Sequence, residues 1–113
     1  KSLLIFALAV WGSNATSLMP AEELVIQMIE VRTPKQIVIE TAKKYGVSAN
    51  EALFFVGCES DFNPSAKHIN KNGSIDRGLW QINDRYHPEV SNECSYDAVC
   101  SSEWSVPNFS EVR

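Results

Sequence analysis

Two carboxylic acids, Glu59 and Asp76, stand seventeen residues apart in surroundings that differ sharply. Glu59 follows the apolar run Leu53-Phe54-Phe55-Val56-Gly57-Cys58, which reads as the end of a buried helix. Asp76 lies in Gly73-Ser74-Ile75-Asp76-Arg77-Gly78, a glycine-bounded stretch with the alternation of a short strand. Cleavage of a glycosidic bond needs two acids in unlike settings. One stays protonated and donates to the leaving oxygen, while the other stays charged and faces the developing oxocarbenium ion. Burial beside Phe55 and Val56, together with the negative end of a helix dipole, would favour the protonated form at position 59.

The elements that must hold these acids are mostly helical. Residues 20–32 read as a first helix, with Pro20 in its first turn, Glu22 and Glu23 at the positive dipole end, and a Leu24, Met28, Val31 stripe. Thr33 with Gln36 resembles a capping box for a second helix that Gly46 would stop. Ser48 with Glu51 repeats the pattern for a third, residues 49–60, whose apolar residues lie on nearly every face and predict a core helix. From Asp61 onward turn residues dominate, and residues 75–82 carry the alternation of a strand or hairpin. Beyond Tyr86 the pattern predicts loops with one helical turn near Tyr96 and Asp97.

Bulk properties narrow the class. The chain has 113 residues, 44% of them hydrophobic, and a formal net charge of -4, so it holds at most one full domain. No basic stripe exists to displace counterions from phosphates, which argues against a nucleic-acid partner. Lys1, an apolar run over residues 3–11 and the small polar residues Gly12-Ser13-Asn14-Ala15 read as the remnant of a secretory signal peptide over residues 1–15. That run is too short for a stable membrane span, which needs about 20 residues. Three cysteines cannot all pair within the chain. Cys94 and Cys100 suit a small disulfide in an oxidising compartment, and Cys58 suits a buried free thiol. His68, His87 and the cysteines show no metal-ligand spacing, so no metal or other cofactor is expected.

Two blocks, Glu59-Ser60-Asp61-Phe62-Asn63-Pro64-Ser65-Ala66 and Gly78-Leu79-Trp80-Gln81-Ile82-Asn83, resemble the signature of the lysozyme-like superfamily. The likeness is greatest to the soluble lytic transglycosylase domain, and the Gly-Ser-x-Asp-x-Gly-x-x-Gln-Ile-Asn spacing also resembles animal-type lysozymes. The resemblance implies an α+β, mostly helical domain with a small β-hairpin after the catalytic helix. It implies cleavage of the β-1,4 bond between N-acetylmuramic acid and N-acetylglucosamine, with peptidoglycan glycan chains as the partner and an exported, periplasmic or extracellular setting served by secretion or cell-wall machinery. Carried onto this chain, Glu59 is the general acid and base. Asp76 is the second catalytic carboxylate if the enzyme is a lysozyme-type hydrolase. Ser60 would orient Glu59 or bind substrate, and Gln81 and Asn83 would offer amides to sugar from one side of an extended segment. Trp80 would face the core.

The Asn63-Pro64-Ser65-Ala66 block favours the transglycosylase, which works with a single glutamate and closes a 1,6-anhydro ring. The expected organisation is a leader over residues 1–15, an N-terminal helix and connection over 16–34, and a partial lysozyme-like domain over 35–113, shortened at its C-terminus. A peptidoglycan-binding module without activity is the reading from another class.

Overall fold

The computed structural model describes residues 20–22 and 32–109, and the chain divides into two compact units, Lys1–Val31 and Arg32–Arg113. In the first unit Ala21 and Glu22 are helical. The expected leader, and all but the start of the first expected helix, lie outside the described residues.

The second unit is built from helices α1 (Pro34–Lys44), α2 (Ala49–Ser60), α3 (Asn92–Ser95) and α4 (Ala98–Ser105) and strands β1 (Lys67–Ile69), β2 (Ile75–Arg77) and β3 (Ile82–Asn83). Helix α1 begins with the full capping box. Gln36 N–H donates to Thr33 Oγ1 at 3.2 Å and Thr33 N–H donates to Gln36 Oε1 at 2.6 Å, satisfying two otherwise orphaned donors. It ends at Tyr45, and Gly46 follows at φ +69°, a left-handed turn that glycine enters without strain. Ser48 Oγ caps α2 by accepting from Glu51 N–H, and α2 ends where Asp61 adopts a left-handed conformation. Phe62 follows at φ +61°, so two consecutive left-handed residues turn the chain sharply away from Glu59.

Helix α1 packs against α2 and α4, and α3 packs against α4. The three strands form an antiparallel sheet in the order β1-β2-β3, pairing His68 with Asp76 and Asp76 with Asn83. The core joins Val38 and Ala42 of α1, Ala52 and Val56 of α2, Leu79, Trp80 and Ile82 around β3, and Val90, Val106 and Phe109. This is the α+β, mostly helical architecture anticipated. Among the described residues no helix is long and apolar enough to cross a membrane.

The C-terminal part departs from expectation. Where loops were foreseen, α3 and α4 form, started by Ser91 Oγ accepting from Cys94 N–H at 3.0 Å and Asp97 Oδ2 accepting from Cys100 N–H at 2.7 Å. Their inward faces carry serine, so hydropathy did not reveal them. Ser95, Ser101, Ser102 and Ser105 are all fully buried. Cys94 and Cys100 are joined in a disulfide that ties the two helices together.

One surface cluster fastens α1 to α4. Lys44 Nζ donates to both Glu103 carboxylate oxygens, and Tyr45 Oη donates to Oε1 at 2.6 Å. The Tyr45 and Lys44 hydrogen bonds hold the Glu103 carboxyl below its ordinary value of 4.5, and the same bonds raise Tyr45 and Lys44 above theirs. The cluster therefore stabilises the fold above the ordinary glutamate pKa. That contribution fades as pH falls through the lowered Glu103 value, and again as pH rises through the raised Tyr45 and Lys44 values. All three groups are solvated, so the effect is small. A Glu103→Ala variant is expected to lower the urea midpoint near neutral pH, with the difference closing at both extremes of the titration.

Candidate active site

Glu59 sits in the last turn of α2 and is exposed, which corrects the expectation of burial. The helix is not covered on all sides among the described residues. Phe54 is 75% exposed, and Cys58, foreseen as a buried thiol, is a free and exposed cysteine one turn further along the same face. Together with Asn50, Glu51, Phe55, Glu59 and Phe109 these residues line a largely apolar groove of about 480 Å³. Packed aromatic rings back the groove wall. Phe55 stacks on Trp80 at 5.8 Å, and Phe109 meets both rings edge-on at 5.6 and 5.9 Å. Trp80 is 2% exposed and donates through Nε1 to Ser102 Oγ at 2.9 Å, so it is a core residue, as its position suggested.

Ser60 turns inward. It is buried and donates to Leu79 O at 2.7 Å, with Val56 O as a second acceptor at 3.2 Å. Instead of opening onto substrate, this hydroxyl fastens the end of the helix that carries Glu59 to the turn that follows β2. The Asn63-Pro64-Ser65-Ala66 block has a related task. Asn63 Oδ1 accepts from Ser65 N–H at 2.9 Å, and Ala66 O accepts from Gly78 N–H at 2.7 Å. The block is a tight turn that returns the chain to β2's exit.

Gln81 also departs from its expected placement. The extended segment is broken at Gly78, at φ +77°, and again at Gln81, at φ +54°. The Gln81 amide folds back, donating from Nε2 to Gly78 O at 2.9 Å and Ala66 O at 3.3 Å. Its nitrogen thus holds the turn, and the period-two argument that put it beside Asn83 fails because the strand is not continuous.

Asp76 and Asn83 do meet. They are direct cross-strand partners, and Asn83 Nδ2 donates to Asp76 Oδ1 at 2.8 Å and to Ser74 Oγ at 3.1 Å. Asn83 Oδ1 accepts from the backbone N–H groups of Arg85 and Tyr86. All of the Asn83 amide's strong positions are therefore used to fix Asp76 on one side and the path to Tyr86 on the other. These groups line a polar hollow of about 420 Å³ with Asn70, Lys71, Asn72, Ser74 and Tyr86. Asp76 does not cap the preceding turn, because Asn72 Oδ1 does so, accepting from Ser74 N–H at 2.9 Å and Ser74 Oγ at 2.7 Å. His68 lies directly across β1 from Asp76, on the same face of the sheet.

Sequence reasoning missed Asn70, Asn72, Ser74 and the 73% exposed Tyr86. The signal lies in the dense run of short polar side chains around Asn72-Gly73, whose turn chemistry masks it. Among the described residues no cluster of His, Cys, Asp and Glu could hold a metal ion.

The geometry thus places Glu59 at a helix end in one groove and the held Asp76 in a polar hollow of the sheet that shares no lining residue with it, the helix end and the turn after β2 being tied by one serine hydrogen bond. A family model described as a lysozyme-like domain matches residues 38–106, which is most of the second unit. The chain belongs to the lysozyme-like family. Compared with curated proteins and with solved structures, the chain finds no match. Membership supports glycan-cleaving chemistry of the glycosidase or transglycosylase kind, with peptidoglycan as the substrate class. In this lysozyme-like chain both motif blocks fall inside the matched residues, as do Glu59, Asp76 and the whole sheet.

Proposed function

We propose that this lysozyme-like chain is an exported enzyme that cleaves the β-1,4 bond between N-acetylmuramic acid and N-acetylglucosamine, with Glu59 as proton donor and Asp76 as the second carboxylate. The observation that carries the two-carboxylate reading is Asp76 itself. It is half-buried in a polar hollow, oriented by Asn83, and relieved of any turn-capping duty. The Ser60 to Leu79 hydrogen bond ties the helix end that carries Glu59 to the turn three residues beyond Asp76, so the two elements are held in fixed register although the carboxylates line separate hollows.

In this reading Glu59 gives its proton to the glycosidic oxygen as the C–O bond breaks, and the sugar departs with a new hydroxyl. Asp76 faces the positive charge that develops on the remaining sugar ring. Water then adds to that ring, and its proton returns to Glu59. Sugar rings seated along the Phe54 and Phe55 face would shield Glu59 from solvent, which the free groove does not. The Cys94–Cys100 disulfide supports an oxidising compartment and so an exported protein.

The single-glutamate lytic transglycosylase is the second reading, favoured by the Asn63-Pro64-Ser65-Ala66 block. In it the 6-hydroxyl of the muramic ring, rather than water, adds to the same carbon and closes an anhydro ring. That block forms a supporting turn which either enzyme needs, so it distinguishes the two less than Asp76 does. Mass analysis of fragments released from purified peptidoglycan separates them. Reducing ends are expected, anhydro ends would transfer the assignment to the transglycosylase, and binding without soluble fragments would indicate a module that has lost catalysis.

A further inference from the structure

The sheet region carries a charge that the rest of the chain does not. Between Asn63 and His87 there are four basic side chains, Lys67, Lys71, Arg77 and Arg85, against two acidic ones, Asp76 and Asp84. This local positive excess sits in a chain of net charge -4. One of the four is spent internally. Arg77 is 3% exposed and donates to Ile82 O, Val90 O and Asn92 Oδ1, each at 3.0 Å. Lys67, Lys71 and Arg85 are exposed.

Two of these converge on the turn that walls the Asp76 hollow. Lys71 lines the hollow directly and makes no hydrogen bond or ion pair among the described residues. Arg85 donates from Nη2 to Asn72 O at 3.0 Å, which anchors its guanidinium beside the same turn. An anchored guanidinium has already lost part of its rotamer freedom, so it binds an anion at reduced entropic cost. The nearby Asp84 carboxylate is directed to Ile75 N–H at 2.9 Å and pairs with neither cation. Uncapped positive charge beside a hollow floored by amides and a hydroxyl suits a sugar that bears an acid group.

We propose that Lys71 and Arg85 form a subsite for a carboxylate carried by the glycan seated over Asp76, so that an acidic amino-sugar polymer is preferred to a neutral one of the same linkage. This rests on the glycan-cleaving reading for its location but not for its test. The carboxylate could come from the stem peptide, or from the lactyl group once the peptide is removed; the recognising chemistry is shared.

The test is binding of the full chain to three insoluble polymers: intact peptidoglycan, peptidoglycan stripped of its peptides by an amidase, and chitin. A Lys71→Ala/Arg85→Ala double variant should bind intact peptidoglycan about tenfold more weakly, as the loss of two solvated charge contacts would give, with chitin binding unchanged. Combining Lys71→Arg with Arg85→Ala should recover part of the loss seen in the double variant, and added salt should erode the preference in the wild type only. Persistence of the preference on stripped glycan identifies the lactyl carboxylate, and its loss identifies the peptide. An equal change on chitin and peptidoglycan, or no preference in the wild type, overturns the proposal. Charge-selective binding with no fragments released would leave the subsite standing and remove the enzyme reading.

Discussion

Glu59→Gln is expected to lower release of soluble fragments from peptidoglycan by at least about 10³-fold, in the upper part of the range for loss of a general acid. The fold should be untouched. Glu59 is exposed at a helix end, and surface substitutions of this kind stay within about 0.5 kcal/mol in stability. Gln keeps the shape of the side chain but cannot donate a proton to the glycosidic oxygen and take it back. The same circular dichroism melt with lost turbidity clearance is thus the expected pair of results. Undiminished clearance would show that the acid lies elsewhere.

Asp76→Asn is the companion variant. Its side-chain oxygen still accepts from Asn83 Nδ2, so the 2.8 Å contact survives while the charge is lost. A two-carboxylate hydrolase should then lose roughly 10² or more of its rate, whereas a single-glutamate transglycosylase should be slowed only a few-fold.

What the sequence disclosed follows from where its signals are physically local. The starts of α1 and α2 were legible because a cap is a contact between residues three apart, Thr33 with Gln36 and Ser48 with Glu51. Gly46 marked the end of α1 for the same reason. Helix α4 was not legible from periodicity, since its buried face is Ser101, Ser102 and Ser105, which hydropathy counts as polar. Small hydroxyl side chains allow close approach here, and Ser102 also receives the Trp80 Nε1–H. Only the Asp97 cap betrayed that helix locally.

The site divides along the same line. Glu59 and Asp76 stand out by type and spacing, but their surroundings depend on long-range packing. An apolar run such as Leu53-Phe54-Phe55-Val56-Gly57-Cys58 says what could be buried, not which side has something to bury it. Phe54 and Cys58, four residues apart, form the side left uncovered among the described residues. The placement of Gln81 on the same side as Asn83 does not hold, for a different reason. A period of two assigns faces only while the backbone stays extended, and two left-handed residues within four positions end that regime.

Those left-handed residues also locate the least replaceable position in the sheet region. Gly78→Ala is expected to destabilise the fold by roughly 3 kcal/mol or more, at the severe end for a single methyl. Two costs combine. The backbone at φ +77° disfavours any L side chain, at about 1 kcal/mol or more. The added Cβ would stand 1.9 Å from the Ser95 carbonyl oxygen and 3.3 Å from that of Pro64, and backbone atoms cannot swing aside as a side-chain tip can. Relief would require α3 to retreat from the turn. That retreat would strain the disulfide-linked α3 and α4, the Trp80 to Ser102 hydrogen bond, and the Ala66 O to Gly78 N–H contact together.

Because Leu79 immediately follows, the Ser60 contact that couples the Glu59 helix to the sheet would loosen as well. Gly78→Ala should therefore lose stability and glycan cleavage together, whereas Glu59→Gln loses cleavage alone. Urea denaturation read by Trp fluorescence checks the first half, since the buried Trp80 beside this turn contributes to the signal. A midpoint within error of the wild type would mean that α3 moves freely, and that the close approach of Gly78 to Ser95 does not hold the site together.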